Sequence, residues 1–148
     1  MQNTTRKSSG FTLIEVLIAL VVLSIGMLGI AALYLDSLRA SRAALARTQA
    51  VTLAADIGER IRANRDPADA YDCAGVCDPD VPPGLNAIAD ADITGWLDAI
   101  AASLPEGSTG ALTYAAGLAN QTDSYTVVVS WPEVGYEDPP TVELRIEI

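Results

Sequence analysis

Between Val16 and Leu35 the chain carries no charged side chain, and directly before that run stands a single acid, Glu15. An uncharged run of about 20 residues, wound as an α-helix at roughly 1.5 Å per residue, matches a bilayer hydrocarbon core of about 30 Å. Such a segment has no partner in a lone soluble domain; it needs lipid or other helices of its kind. Asp36 and Arg39 mark its water boundary, and ahead of it the segment Met1 to Gly10 is polar, basic at Arg6 and Lys7, and closes in Ser8-Ser9-Gly10. The basic segment is expected to stay in the cytoplasm, which puts the rest of the chain on the far side of the membrane. An ordinary secretory signal is cut at small residues after its apolar stretch. No Ala-x-Ala pattern is well placed here, and the stretch is long for a signal core.

A plain signal-anchor helix is the simplest reading, and Glu15 is what strains it. A carboxylate in a membrane segment costs roughly 2.5–3.5 kcal/mol or more, although a position near the cytoplasmic end allows some snorkelling. Such an acid calls for a partner. Cutting the chain after Gly10 would create a free amine at Phe11, four residues from Glu15 on the same helix. Between neighbouring helices of a bundle the two groups could also pair across subunits and set the axial register.

The residues Gly10-Phe11-Thr12-Leu13-Ile14-Glu15 resemble the processing motif of type IV prepilins and of type II secretion pseudopilins. The resemblance implies that a membrane prepilin peptidase cuts between Gly10 and Phe11 and methylates the new N-terminal Phe11. It also implies that Glu15 is the glutamate used in assembly. Gly26-Met27-Leu28-Gly29 and the stretch Ala54 to Arg65 are similar to minor pilins of the PilV group, the type IV pilus modification proteins. That likeness covers about the first half of the chain. One departure is the missing proline kink of many major pilins: Ala31-Ala32 occupy that region. Gly26 and Gly29 either loosen the helix, at about 1 kcal/mol each relative to alanine, or allow close helix approach.

Ala46, Ala50, Leu53, Ile57 and Ile61 recur at helical spacing, with Arg42, Arg47, Asp56, Glu59, Arg60 and Arg62 on other faces. This amphipathic stripe continues the apolar helix and is expected to pack on a sheet; contact with a partner helix is the alternative. Asp66-Pro67 is a natural stop. One helix from about Thr12 to about Asn64 would measure roughly 80 Å. The chain thus divides into a leader (1–10), a membrane and assembly half of the helix (11–35), an amphipathic half (36–65) and a globular region (66–148).

In the globular region, 67–84 reads as a loop rich in Asp, Pro and Gly. A short helix from Thr94 to Leu104, capped by Asp92 or Thr94, presents Trp96, Leu97, Ile100 and Leu104 on one face. Ala111 to Ala115 is a weak strand and Ser124 to Trp131 a strong, β-branched one, joined by a turn at Asn120 to Asp123. In Val142 to Ile148 the alternation is strict, turning Val142, Leu144, Ile146 and Ile148 to the core. Three antiparallel strands against the amphipathic half of the helix give an α+β fold, the pilin-like arrangement that the resemblance implies.

Charge is divided along the chain. Of 9 basic residues eight precede Asp66 and only Arg145 follows it, while the acidic residues number 19. The acidic C-terminal part argues against nucleic acid as a partner; solubility accounts for it, with a cationic partner as the alternative. There is no histidine, which removes the commonest general base and metal ligand. Cys73 and Cys77, outside the cytoplasm, read as a structural disulfide. Zinc would need further ligands and redox catalysis a different spacing. Asp78, Asp80, Asp90 and Asp92 read as solvated loop charge; because some pseudopilins bind calcium in such a region, a calcium site is the alternative, although the spacing fits no EF-hand loop.

The resulting expectation is a structural subunit with no catalytic residue, no metal and no cofactor: a minor pilin. Its partners would be the prepilin peptidase, other minor pilins, the major pilin and, before assembly, inner-membrane lipid. It would reside in the bacterial inner membrane and then in the fibre, serving adhesion and twitching motility. A minor pseudopilin of a type II secretion system is the alternative. A membrane-anchored enzyme would have only carboxylates and Ser, Thr or Tyr to work with.

Overall fold

The structure is a computed structural model that describes residues 10–81, 83–84, 86–118 and 121–148. The expected leader up to Ser9, and Asn120 of the expected turn, lie outside the described residues. Helix α1 runs from Leu13 to Ala63, 51 residues, within one residue of the expected bounds at either end. The described chain divides within α1 into two compact units, one ending at Ser41 and the other beginning at Arg42.

In the first unit every residue from Phe11 to Ser41 is exposed. Among the described residues α1 is the one helix long and apolar enough to cross a membrane. Ser24 and Ser41 fold their hydroxyls back onto the carbonyls of Leu20 and Ser37 at 2.7 and 2.9 Å, so neither presents an unmet donor.

The second unit begins where α1 acquires a buried face. Ala46, Ala50, Ala54, Ile57, Gly58 and Ile61 are buried. Leu53 of the expected stripe is only partly buried, while Ala54 and Gly58 are buried. A Cβ added at Gly58 would stand 2.7 Å from Ile146 Cδ1. At Gly58 the helix therefore comes so near to Ile146 of the sheet that even a methyl group would force a shift.

The sheet has four antiparallel strands in the order β1 (Gly75–Val76), β2 (Thr109–Ala115), β3 (Ser124–Ser130) and β4 (Thr141–Glu147). Burial alternates along β3, with Tyr125, Val127 and Val129 inward. Along β4 the inward residues are Val142, Leu144 and Ile146, as the alternation predicts. Asp123 closes the connection before β3. Its carboxylate accepts from the Gly117 N–H and the Tyr114 hydroxyl, both at 2.7 Å.

Two expectations are corrected. The sheet has a fourth strand, the two-residue β1, within the segment 67–84 expected to be a loop. Helix α2 spans Ala87–Ser103, starting seven residues before Thr94, and its cap is Asn86 rather than Asp92 or Thr94. Asn86 Oδ1 accepts from the N–H groups of Ile88 and Ala89 at 2.9 and 3.4 Å. Asp90 in the first turn adds a favourable charge at the positive end of the helix. Ala89 and Ile93 extend the buried face formed by Trp96, Ile100 and Leu104.

A polar cluster ties α1, α2 and the intervening loop together. Arg60 pairs with Asp56 at 2.8 Å and with Asp92 at 3.2 Å. The Tyr71 hydroxyl donates to Asp92 Oδ2 at 2.7 Å, and the Tyr125 hydroxyl donates to the Ala68 carbonyl at 2.8 Å. Burial, and then the hydrogen bond to Asp92, push the Tyr71 phenol up to about 12; burial raises Tyr125 further. A phenol whose pKa is higher folded than unfolded contributes stability that is whole below about pH 10 and declines as pH rises toward 12. The detergent-solubilised chain is therefore expected to lose its tertiary circular dichroism in that alkaline window. Tyr71→Phe should flatten the loss; an unchanged alkaline midpoint would remove Tyr71 from the account.

Candidate assembly site and disulfide loop

Helix α1 starts with four backbone N–H groups that have no intrahelical acceptor, and in lipid no water replaces one. The sequence Thr12-Leu13-Ile14-Glu15 meets part of that need. The Thr12 Oγ1 atom accepts from the Glu15 N–H at 3.4 Å, while Glu15 Oε2 accepts from the Thr12 N–H and from the Thr12 hydroxyl, both at 3.1 Å. This is a reciprocal capping box, with threonine at the cap and glutamate three residues on. Its negative charge also sits at the positive end of the helix dipole.

The partner of Glu15 within the subunit is thus Thr12, not only the expected Phe11, and the Thr-x-x-Glu spacing before an apolar run is a legible capping signal. Among the described residues every hydrogen bond to the Glu15 side chain falls on Oε2. Phe11, Glu15, Val16, Ala19, Leu20 and Leu23 line a shallow apolar groove at this end of the helix. At Gly10 an added Cβ would meet no atom of the described residues within 4 Å.

In the second unit Cys73 and Cys77 are joined in a disulfide. The ring they close encloses β1. Gly75 pairs with Leu112 and Val76 with Ala111, and the N–H groups of Cys73 and Cys77 donate to the carbonyls of Leu112 and Gly110 at 3.2 and 2.8 Å. Asp72 Oδ1 accepts from the Ala74 and Tyr114 N–H groups at 2.9 and 3.1 Å, holding Ala74 in the left-handed region at φ 52°. The disulfide thus pins an edge strand onto β2. Closing so short a ring contributes about 2 kcal/mol on the chain-entropy account. Cys73→Ser with Cys77→Ser, or reduction, is expected to lower the free energy of unfolding by about that amount in urea; an unchanged midpoint would contradict it.

The four aspartates read together as loop charge are separated by the fold. Asp78 and Asp80 lie in the loop after Cys77, with the Asp78 carboxylate accepting from the Asp80 N–H at 2.9 Å. Asp90 and Asp92 belong to α2: Asp90 accepts from the Gly84 N–H at 2.9 Å, and Asp92 holds Arg60 and Tyr71. For these two the loop expectation is wrong, because α2 begins before them. Among the described residues no three His, Cys, Asp or Glu side chains converge on a point that could hold a metal ion.

Two family matches abut along the chain. Residues 5–31 match the family described as "Prokaryotic N-terminal methylation motif", and residues 32–75 match "Type IV pilin Tt1218". No curated protein and no solved structure matches the chain. The first match contains Gly10, Phe11, Thr12 and Glu15; the second runs from the end of the apolar segment to the disulfide loop.

Proposed function

We propose that the chain is a type IV pilin, and a minor one related to the PilV group, that primes or joins a type IV pilus; the matches to the N-terminal methylation motif over residues 5–31 and to the type IV pilin model over residues 32–75 support this reading. As a pilin it is a subunit of a type IV pilus-like system, and its motif implies cutting by a prepilin peptidase and assembly with other pilins. In our reading the cut falls between Gly10 and Phe11. The new amine of Phe11 is N-methylated, α1 waits in the inner membrane and the acidic unit lies in the periplasm. Assembly then moves the apolar half of α1 from lipid into a bundle of like helices. Its apolar surface stays out of water throughout, which offsets the cost of leaving the membrane. Adhesion and twitching motility are the processes such a fibre would serve.

The observation that carries this reading is the arrangement of Glu15 at the head of an exposed apolar helix. The capping box uses Oε2, so Oε1 is the oxygen on which the Phe11 amine of a neighbouring subunit would settle. A charge in that position costs several kcal/mol in lipid unless it is paired. Pairing in the fibre turns the cost into a device that registers one subunit against the next.

The test is the N-terminus of the chain recovered from membranes and from sheared fibres. A mature chain beginning at N-methylated Phe11, present in both fractions, is the expected result. A chain that keeps Met1 to Gly10, or one confined to membranes of cells that make normal pili without it, would overturn the proposal. Loss of type II secretion in place of loss of pili on deletion would transfer it to the pseudopilins.

A further inference from the structure

The two edges of the sheet are finished differently. The β1 edge is two residues long and lies inside the Cys73–Cys77 ring. The opposite edge is β4, seven residues in unbroken register with β3 and free of proline. At its ends the Pro140 carbonyl accepts from the Trp131 N–H, and the Ile148 N–H donates to the Asp123 carbonyl. Even-numbered residues of β4 therefore turn their backbone groups to β3, while Thr141, Glu143, Arg145 and Glu147 turn theirs outward. Among the described residues these outward groups have no backbone partner. A long, unbroken edge of this kind is a template for another strand.

Charge on an edge strand ordinarily repels a second strand. On β4 the sign alternates: Glu143, Arg145 and Glu147 are all exposed, and Arg145 is the one basic residue after Asp66. None of the three makes an ion pair among the described residues; Arg145 donates a 3.3 Å bond to the Ser124 hydroxyl. A second β4 laid antiparallel, with the two-fold axis at Leu144, sets Glu143 opposite the partner's Arg145 and Arg145 opposite the partner's Glu143. Backbone groups at these positions point outward, so the same residues exchange hydrogen bonds. On the core face Leu144 meets the partner's Leu144 and Val142 meets the partner's Ile146. Val142 and Leu144 are only half-buried within the subunit, and the pairing covers them further. A slip of two residues one way opposes Glu143 to the partner's Glu143; a slip the other way opposes Arg145 to the partner's Arg145. Like charges directly opposite are unfavourable, so the charges select one register.

We propose that β4 is a docking edge for a second copy of this chain, joined by antiparallel strand pairing about Leu144, with Glu143 and Arg145 setting the register. Such an isologous contact closes on itself, whereas fibre growth needs a heterologous contact that repeats. The pairing is therefore separate from the assembly role of Glu15, and it stands whether or not the chain is a minor pilin.

The test is sedimentation of the detergent-solubilised full chain over a concentration series. The parent should pass from monomer to dimer. Glu143→Arg sets like positive charges opposite one another and Arg145→Glu like negative ones; each should weaken the dimer roughly tenfold. An equimolar mixture of the two single variants restores opposite charges at both pairs, as does the double variant Glu143→Arg with Arg145→Glu. Both should recover the parent's dimer. Recovery in the mixture separates pairing from folding, because neither variant is complementary to itself. A parent that stays monomeric at every concentration, single variants that dimerise as well as the parent, or a mixture no better than its components would overturn the docking edge. None of these results bears on cutting at Gly10 or on recovery in fibres, which test the minor-pilin reading.

Discussion

Glu15→Gln is expected to leave the chain cut and inserted in the membrane, yet to lower its recovery in sheared fibres by roughly 100-fold. Glu15 has two tasks, one in the cap and one as a charge. Glutamine still offers an oxygen to the Thr12 N–H, since either residue serves at that position of a capping box, so the start of α1 survives. What disappears is the charge. On the proposed processing a Phe11 amine would then enter the bundle with no counter-ion, and breaking a buried pair costs about 3–5 kcal/mol, which corresponds to a factor of 100 or more. Thr12→Val supplies the complementary case. It keeps the charge and removes the hydroxyl that bonds the Glu15 N–H and Oε2, at a cost of about 1 kcal/mol, and should lower recovery only several-fold. Immunoblots of membrane and fibre fractions from the same cells read both. Equal losses for the two variants would mean that the cap, and not the charge, is what assembly needs.

The same pair of residues marks what could be read from sequence. The apolar run and its single acid were legible because hydrophobicity and charge act locally, residue by residue. The length of α1 was legible for a related reason: apolar residues from Ala46 to Ile61 keep one period, and Pro67 forbids continuation. Ala54 and Gly58 were passed over because an alanine or glycine carries little hydrophobic signal. Their importance is geometric, and it appears only once Ile146 is found opposite Gly58.

Elements that depend on distant partners were the ones missed. β1 is two residues long and owes its conformation to β2, some 35 residues on, so no local pattern announces it. The early start of α2 was obscured by Asp90 and Asp92, whose charge suggests a loop. Asp90 is favourable in a first turn, and Asp92 is neutralised by Arg60, 32 residues away in the chain. The Asn86 cap was hidden by its prolyl and glycyl neighbours. Trp131 buries its indole N–H without an acceptor among the described residues, and an unpaired N–H is not a property that a sequence displays.

Trp96→Ala is the substitution expected to damage the acidic unit most, by about 3–5 kcal/mol, a large share of the 5–15 kcal/mol typical of a domain. The indole joins three elements. It stands on α2, donates to the Leu53 carbonyl of α1 at 2.9 Å, and lies against β2 so closely that a Cβ on Gly110 would be 2.5 Å from its ring. Alanine leaves a cavity that neither rigid neighbour can fill. Trp96→Phe should cost less, since the Leu53 carbonyl remains available to its own helix and only volume and one hydrogen bond are lost. The corresponding change at Trp131 forfeits no bond among the described residues, where its N–H has no acceptor. Urea unfolding of the detergent-solubilised chain, followed by the remaining tryptophan, should therefore rank Trp96→Ala well below Trp96→Phe, with Trp131→Phe nearest the parent. If Trp131→Phe proved as damaging as Trp96→Phe, the indole N–H at 131 would have an acceptor inside the subunit, and the difference between the two tryptophans would be one of volume alone.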